Sequence, residues 1–436
     1  MSVDFKKLLT PTWSDYFDMA IDYFEVNEIL PIAVDIGYGG VKYFTPYSRG
    51  SFPALSISKS ETDFLTFIDS DIIYYEKDSD GEIQYLAHVG DRAFSSSNNR
   101  DFSDKALYSQ HRIKTKSYNI LFRTAVAKAL IDKNNEIRNF KRIHIITGLP
   151  EDYVDTQKDI LRNRLKGNHS FDIKFGGNKV KHIEFELKSN DITILSQPAA
   201  ITFSMAYDCY GKCINEDLLL DNNYVIVDGG FYSLDVHTRK QREHSVADSD
   251  TDEKHAMRNV LIKLQSYIKD KYKKSYSIPK LLYLLKSNIN KIEFISPDTN
   301  DKVTVDLSKP LQSIIKSLGE ELAEQLNQAF DYFEEFGDVI VAGGSGKVFY
   351  EVLKSNINAS NILLSEKTGS NKPYENFEAN MAVITGYFNF YMARLIAKNP
   401  DIQLIKKNTD KPIITINEKS IDKGSVEEEA AATSEK

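Results

Sequence analysis

One strand-and-glycine pattern occurs twice in this chain, at residues 32–43 and again at residues 225–236. Each copy consists of a short apolar run, an aspartate (Asp35 or Asp228) followed by glycines, and a second run of β-forming residues. Apolar runs of this length between turn residues predict buried strands, so each copy predicts a hairpin. Two such hairpins in different halves of the chain predict two similar domains that face each other. Their turns would present backbone N–H groups and one carboxylate each to a shared cleft, which suits a metal-bound nucleotide triphosphate.

The size and charge of the chain limit the class of protein to which it can belong. Its 436 residues are too many for one average domain and can bury a large core. The formal net charge of −8 argues against direct binding of nucleic acid through a basic surface. No apolar stretch reaches the roughly 20 residues that a membrane-spanning helix needs, and the acidic N-terminus does not resemble a signal peptide. Because Cys209 and Cys213 are the only cysteines, we expect two reduced thiols in a cytoplasmic protein without membrane contact.

Helical and strand patterns alternate along both halves of the chain, which predicts an α/β fold. Residues 12–30 carry apolar side chains at helical spacing and predict an amphipathic helix that packs on the body of its own subunit. Asp80 and Gly81 predict a hairpin turn in a region of short strands. Residues from about 418 onwards lack apolar periodicity and predict a disordered acidic tail. The other predicted elements are helices over 118–130, 153–165, 198–210, 251–272, 311–333 and 377–397, and strands over 142–147, 171–187 and 338–342.

A third glycine-rich segment, 343–346, directly follows the strand predicted at 338–342. Neither this segment nor the turn at 37–40 fits a common nucleotide motif. Lys42 stands where a dinucleotide-binding fingerprint needs another glycine, and a strand rather than a helix follows. Val341 and Val348 occupy positions at which a Walker A loop needs glycine and serine or threonine. Each segment alone predicts only a tight turn, so the functional inference depends on their order and combination.

Taken in order along the chain, these segments resemble the actin–hexokinase–chaperone ATPase superfamily, and more closely the plasmid-segregation actins of the ParM/StbA kind. Residues 35–42 resemble the first phosphate loop of that family, including the lysine at its end, and residues 228–235 resemble the second. Residues 196–200 resemble the first connecting helix, and residues 343–346 resemble the adenosine loop.

The resemblance implies an α/β, actin-like ATPase fold, in which two related domains with ribonuclease-H-like cores flank a nucleotide cleft. It implies a domain I at 31–220, with a small β-rich subdomain at about 50–105. Domain II would span 221–400, with a smaller subdomain at about 250–310. Residues 1–30 would be an N-terminal helical extension that is unusual for the family, and residues 418–436 would be the acidic tail.

The resemblance also implies a role for each candidate site residue. Asp35 and Asp228 would hold Mg²⁺ through its water molecules, because this ion dehydrates reluctantly. Gln197 would orient the attacking water, and because an amide is a poor base we expect slow turnover. Lys42 would neutralise a phosphate group as a point charge. The remaining nucleotide-binding candidates are Gly37, Tyr38, Gly39, Gly40, Gly229, Gly230, Phe231, Tyr232, Ser233, Gly343, Gly344, Ser345 and Gly346.

The implied function is a nucleotide-driven ATPase that polymerises into filaments and segregates plasmid or phage DNA. Binding of ATP with Mg²⁺ would promote polymerisation, and hydrolysis would promote disassembly; GTP stays open as the nucleotide. The expected partners are further copies of this chain and a small DNA-binding adaptor protein. We expect no direct contact with nucleic acid or with a membrane.

Alternatives stay open for the function and for single residues. A sugar- or acetate-type kinase of the same fold would need a catalytic aspartate aimed at an acceptor hydroxyl group. A non-segregating cytoskeletal scaffold would be expected to lack the aspartates or the glutamine of the cleft. Asp35 and Asp228 could each be plain turn residues, and Gln197 could cap its helix. Many family members carry glutamate in place of Gln197, and the bulky Phe231 and Tyr232 also depart from the family pattern.

Overall fold

Two central sheets of the same design organise the molecule. The computed structural model of the chain describes residues 11–58, 71–95, 110–220, 222–240, 243–278, 280–281, 291–296, 299–399, 402–406 and 412–416. The strands of the first half are β1 (Trp13–Tyr16), β2 (Ile29–Ile36), β3 (Gly40–Phe44), β4 (Ser48–Pro53), β5 (Ser56–Ser58), β6 (Ile72–Lys77), β7 (Ile83–Val89), β8 (Arg142–Leu149), β9 (Gly167–Phe175), β10 (Lys181–Leu187) and β11 (Ile192–Ser196). Its helices are α1 (Asp22–Val26), α2 (Asp91–Ser95), α3 (Lys116–Leu130), α4 (Glu151–Leu165), α5 (Gln197–Ala206) and α6 (Asp217–Leu220).

The second half continues with the same alternation of strands and helices. Its strands are β12 (Tyr224–Gly229), β13 (Leu234–Lys240), β14 (Glu243–Asp252), β15 (Lys291–Ile295), β16 (Lys302–Asp306), β17 (Asp338–Ala342), β18 (Asn361–Leu364), β19 (Ile402–Lys406) and β20 (Pro412–Ile416). Its helices are α7 (Met257–Tyr272), α8 (Ser308–Ala329), α9 (Gly343–Asn356) and α10 (Ala382–Lys398).

The strand orders of the two central sheets correspond. The first sheet has the order β1-β4-β3-β2-β8-β11, and the second has the order β14-β13-β12-β17-β18. In each sheet the central strand, β2 or β12, pairs antiparallel with the next strand of its hairpin and parallel with a later strand. The last five strands of the first sheet therefore match the five strands of the second. This confirms the predicted α/β class and the two similar halves.

A smaller antiparallel sheet with the order β10-β9-β6-β7-β5 belongs to the first half. Its β6–β7 hairpin turns at Asp80 and Gly81 as predicted, and Gly81 adopts a φ of +87°, which favours glycine. Because β9 and β10 lie outside the predicted range 50–105, this β-rich unit is built from two separate stretches of sequence. The predicted tail at 418–436 lies outside the described residues.

The predicted amphipathic helix over residues 12–30 is wrong. β1 pairs antiparallel with β4 and adds an edge strand to the first sheet, and only the short α1 is helical. Ala20 and Glu28 adopt left-handed φ values of +53° and +52°, which interrupt any continuous helix. The segment does pack on its own subunit, because Phe24 is fully buried and the Phe17 ring lies 5.2 Å from that of Tyr374.

A layer of buried side chains joins the two halves beneath the central strands. It contains Ala33 of β2, Ile226 of β12 and residues of α5 and α10. These two helices cross at very close range, since a Cβ atom at Gly386 would lie 1.7 Å from the carbonyl oxygen of Ala200. The halves are therefore joined below the open ends of β2 and β12.

The other predicted elements are present with shifted ends. The predicted helix start at residue 251 is wrong, because β14 continues to Asp252 in pairing with β13 and the helix begins at Met257. The last long helix begins at Ala382 rather than at 377, after a short 3₁₀ turn. Within the part of the chain that the structure describes, no helix is both long and apolar enough to cross a membrane.

Candidate functional site

The two predicted hairpins have the same turn. In the β2–β3 turn the backbone N–H of Gly37 donates to the carbonyl oxygen of Gly40 at 3.0 Å. In the β12–β13 turn the N–H of Gly230 donates to the carbonyl oxygen of Ser233 at 2.9 Å. The turns are therefore equivalent positions of the two sheets, as the repeated sequence pattern predicts.

The register of each hairpin places a charged residue opposite the aspartate. Asp35 pairs with Lys42, whose Nζ donates to Oδ2 of Asp35 at 2.9 Å. Asp228 pairs with Asp235 at the equivalent position of the second hairpin. The first hairpin thus carries a carboxylate with a cation, and the second carries two carboxylates.

Both hairpins open into one cleft between the halves. Its walls come from the ends of β2, β8 and β12, from both turns and from the starts of α5 and α9. The lining residues used below are Asp35, Gly37, Tyr38, Gly39, Gly40, Lys42, Arg112, Tyr118, Gly148, Gln197, Asp228, Gly229, Gly230, Phe231, Asp235, Gly343, Gly344, Ser345, Asn380 and Val383.

The two aspartates act on each other electrostatically. The pKa of Asp228 is raised to about 7, chiefly by burial and then by the carboxylates of Asp235 and Asp35, while Lys42 opposes the shift. The two carboxylates are therefore close enough to repel each other across the cleft. The cleft thus combines the carboxylates of Asp35, Asp228 and Asp235 with the cations Lys42 and Arg112. Among the described residues, no cluster of three or more histidine, cysteine, aspartate or glutamate side chains is arranged to hold a metal ion.

The two turns touch across the cleft. The rings of Tyr38 and Tyr232 lie 5.3 Å apart between centroids, and Arg112 stacks on Tyr38 with its Cζ atom 3.9 Å from the ring centroid. A Cβ atom at Gly39 would lie 2.7 Å from the Cβ atom of Phe231, so only glycine fits this approach without a shift. A ligand in the cleft would therefore contact residues of both halves.

The third glycine-rich segment is the first turn of α9 rather than a loop. Gly343 has a φ of +77°, and a Cβ atom there would lie 2.6 Å from Oδ1 of Asp228. A Cβ atom at Gly229 would lie 2.1 Å from the backbone nitrogen of Gly346. The hydroxyl group of Ser345 donates to the carbonyl oxygen of Gly230. These glycines therefore let α9 begin directly against the second turn.

Gln197 stands at the first position of α5 and faces the cleft. The alternative that it caps its helix is wrong, because the hydroxyl group of Ser196 accepts from the N–H of Ala199 at 3.3 Å and provides the cap. Among the described residues, none forms a hydrogen bond with the side chain of Gln197. The start of α5 therefore places the Gln197 amide group in the cleft, where no described residue forms a hydrogen bond with it.

Most of the predicted site residues line the cleft, and three do not. The Tyr232 ring contacts that of Tyr38 at a tilt of 40°, Ser233 donates through its hydroxyl group to Asp235 at 3.1 Å, and Gly346 packs beneath Gly229. These three residues support the turns from outside the lining. Their direct contact with a nucleotide stays a prediction.

Several cleft residues were not predicted from the sequence. Arg112 belongs to a 3₁₀ turn before α3, and its guanidinium group donates to the carbonyl oxygen of Ile36 in the first hairpin. Tyr118 lies on α3, and burial raises the pKa of its hydroxyl group to about 12. Asn380 lies beside Gly344, and its buried Oδ1 atom has no hydrogen-bond partner among the described residues. None of the three belongs to a recognisable local pattern, so only the tertiary fold reveals them.

Two family models match the chain in sequence. The first describes the N terminal domain of actin like proteins and matches residues 33–199. The second describes the Alp7A C-terminal domain and matches residues 223–369. The two phosphate-loop candidates thus fall in different models, and no curated protein matches the chain.

Solved structures with a similar fold cover most of the chain. A 15-stranded ParM filament from Clostridium botulinum is 23% identical, with a TM-score of 0.61 over 84% of this chain and 99% of that chain. The actin-like protein Alp7A is 17% identical, with a TM-score of 0.58 over 85% of this chain and 98% of that chain. The archaeal actin homologue Ta0583 in complex with ADP is 13% identical, with a TM-score of 0.58 over 83% and 99%. At these identities the likeness establishes the fold.

Proposed function

We propose, on the premise that this chain belongs to the actin-like proteins and has their fold, that it is a nucleotide-driven ATPase that assembles into filaments. ParM and Alp7A are among its structural relatives, in agreement with the resemblance to plasmid-segregation actins. The proposed role is the segregation of plasmid or phage DNA in the cytoplasm.

One observation carries this proposal. Asp35 and Asp228 come from equivalent turns of two like sheets, line one cleft and repel each other across it. A pair of plain turn aspartates would have no reason to converge. The ADP bound by the archaeal relative supports a nucleotide as the ligand of such a cleft.

The donor set of the cleft suits Mg²⁺. Carboxylate oxygens are hard ligands, and Mg²⁺ is commonly held by one or two carboxylates together with phosphate groups and water. Burial is the main cause of the raised pKa of Asp228, and the carboxylates of Asp235 and Asp35 add to it, so a bound cation would stabilise the charged form. When bound, the ion would supply neutralisation of the charge on the phosphate groups.

The chain's own residues would bind the triphosphate and position water. The glycine turns at 37–40 and 229–230 allow close approach of the backbone to phosphate groups. Lys42 would add a positive charge on the side of the first turn. Gln197 has an unengaged amide group in the cleft, so it can orient a water molecule. Because an amide does not take up a proton near neutral pH, we expect positioning without proton abstraction and slow turnover.

The second turn is hydrogen-bonded directly to the start of α7. The carbonyl oxygens of Gly230 and Phe231 accept from the backbone N–H groups of Met257 and Arg258, at the start of α7, at 3.4 and 2.8 Å. Loss of the γ-phosphate would therefore release contacts that are connected to α7. In this proposal the change shifts the subunit between an assembling and a disassembling state, since a ligand stabilises the state that it binds more tightly.

The proposed partners are other copies of this chain and a DNA-bound adaptor. The ParM relative forms a filament, which supports self-assembly here. The net charge of −8 disfavours direct binding of DNA by this chain, so a small basic adaptor would make that contact. We propose ATP as the nucleotide and test GTP beside it.

The proposal is tested by phosphate release and sedimentation of the purified chain with ATP, GTP and ADP. We expect slow phosphate release and pelletable filaments with ATP but not with ADP. Asp228→Ala should lose phosphate release, whereas Asp159→Ala, which removes an exposed surface carboxylate of α4, should behave as wild type. Wild-type turnover in Asp228→Ala, or transfer of labelled phosphate to small hydroxyl compounds, would remove the assignment.

A further inference from the structure

A buried tyrosine hydroxyl group without a partner lies directly behind the cleft. Tyr387 of α10 is fully buried, and its hydroxyl oxygen has no hydrogen-bond partner among the described residues. Buried hydroxyl groups in proteins are nearly always paired, because an unpaired one costs folding free energy. Phenylalanine would fill the same space without this cost, so we expect the hydroxyl group of Tyr387 to have a hydrogen-bond partner.

The hydroxyl group points at the C-terminal edge of the first sheet. Gly148 at the end of β8 lines the cleft, and a Cβ atom there would lie 2.2 Å from the Tyr387 hydroxyl oxygen. Val383, one turn earlier on α10, also lines the cleft. The charges of Asp35 and Asp228 both raise the pKa of Tyr387, behind the larger effect of burial. The hydroxyl group is therefore within electrostatic reach of both aspartates.

The strand register explains this convergence. β2 and β8 run parallel with Ala33 paired to Ile146, and two residues further along these strands lie Asp35 and Gly148. Gly148 is in turn paired with Leu195 on β11, two residues before the start of α5. Asp35, Gly148 and the start of α5, which carries Gln197, therefore lie at the same level of the sheet.

The helix that carries Tyr387 is held firmly. Gly386 packs against the backbone of Ala200, so α10 cannot move away from α5 without breaking this contact. The phenol ring is enclosed in the layer of apolar residues that joins the two halves. Its hydroxyl group therefore has a fixed position relative to Asp35 and Gln197.

We propose that Tyr387 is a positioning residue of the nucleotide site, whose hydroxyl group donates a hydrogen bond to a water molecule held near Asp35 and Asp228 when the metal-bound triphosphate is in place. This inference rests on the proposed nucleotide function. The ligand class is the magnesium complex of a nucleoside triphosphate with its water shell. Gly148 is required because any larger residue would push the hydroxyl group out of this position.

The test compares Tyr387→Phe with wild type in the full-length chain. The affinity for a fluorescent non-hydrolysable ATP analogue is measured with Mg²⁺ and with a chelator, and thermal unfolding is followed without ligand. We expect the Mg²⁺-dependent gain in affinity to fall by about three- to tenfold, the size of one net hydrogen bond. Affinity in the chelator and the unfolding temperature without ligand should not fall, because the lost hydroxyl group had no protein partner.

Tyr74→Phe is the matched control. The Tyr74 hydroxyl group is bonded to Glu76 and Arg123 in the small sheet, so its loss should lower the unfolding temperature and leave the Mg²⁺-dependent gain unchanged. If Tyr387→Phe behaves like Tyr74→Phe, the hydroxyl group of Tyr387 is structural and the inference is overturned. If wild type itself shows no Mg²⁺-dependent binding, the proposed function falls and the inference falls with it.

Discussion

Gly39 and Phe231 face each other so closely across the cleft that a Cβ atom at position 39 would lie 2.7 Å from the Phe231 Cβ atom. The first residue belongs to the turn of one sheet and the second to the equivalent turn of the other. The two turns can therefore bind one ligand between them only if position 39 has no side chain.

Gly39→Ala should weaken nucleotide binding without unfolding the protein. The added methyl group would push the turns apart, and overpacking of this kind corresponds to a rise in Kd of about tenfold or more. Gly177→Ala is the matched control, because a Cβ atom there would meet nothing within 4 Å. Fluorescence titration with labelled nucleotide measures the Kd of both variants. Equal affinities of the two variants would mean that the turns do not share a ligand.

Lys42→Met should weaken binding through lost charge. The Lys42 ammonium group is bonded to Asp35 at 2.9 Å and lowers the pKa of Asp228, so its removal leaves Asp35 without its bonded cation. Loss of a charged hydrogen bond to a phosphate group corresponds to an increase in Kd of about ten- to a hundredfold. Lys141→Met removes a lysine that is 78% exposed and paired with Glu28 at the surface, and should leave Kd unchanged. A Kd that rises equally in both variants would point to general charge effects.

Binding of the magnesium–nucleotide complex should release a proton below pH 7. The pKa of Asp228 is raised to about 7 in the ligand-free protein, and the group must be charged to hold a cation. Release should approach about 0.9 proton per nucleotide at pH 6 and about 0.1 at pH 8. Calorimetry in buffers of different ionisation enthalpy measures it, and Asp228→Asn should abolish the pH 6 release. Undiminished release in that variant would assign the proton to another group.

The raised pKa of Asp228 also makes the folding stability of the ligand-free protein depend on pH. The pKa of Asp228 is raised from 3.8 to about 7 in the folded state. The native protein therefore binds more protons than the unfolded chain between these values. This contribution to stability is present in full below pH 3.8 and is lost as the pH rises through 7. Asp228→Asn should flatten this part of the pH profile in urea unfolding.

Gln197→Ala should give filaments that form but persist. The side chain faces the cleft without a protein partner, and the helix start is capped by Ser196, so its removal should slow hydrolysis and leave the fold intact. Light scattering after ATP addition follows assembly and decay. Gln328→Ala, an exposed substitution on α8, serves as the control. Decay at the wild-type rate in Gln197→Ala would exclude the water-positioning role.

The duplicated hairpins and their shared cleft were predictable because local signals agree with the tertiary fold there. Apolar runs fix buried strands, and the aspartate and glycines fix the turns. The predicted helix over 12–30 is wrong because the same apolar spacing also suits an edge strand followed by a short helix. Pairing of β1 with β4 and the left-handed backbone at Ala20 decided between the two.

The remaining site residues could not be predicted because no local pattern contains them. Arg112 reaches the first turn from a distant 3₁₀ segment, and Asn380 reaches the glycines of α9 from the turn before α10. Tyr387 is an apolar-face residue of its helix, and only the approach of Gly148 reveals where its hydroxyl group lies. These positions depend on how the two halves are joined, which periodicity does not encode.

The most direct test of the account is a crystal structure of the chain with Mn²⁺ and a non-hydrolysable ATP analogue, with the metal located by its anomalous scattering. We predict one Mn²⁺ ion between the carboxylates of Asp35 and Asp228, bound directly or through water, with the triphosphate between the two glycine turns. A metal held away from either carboxylate, or a nucleotide outside this cleft, would contradict it.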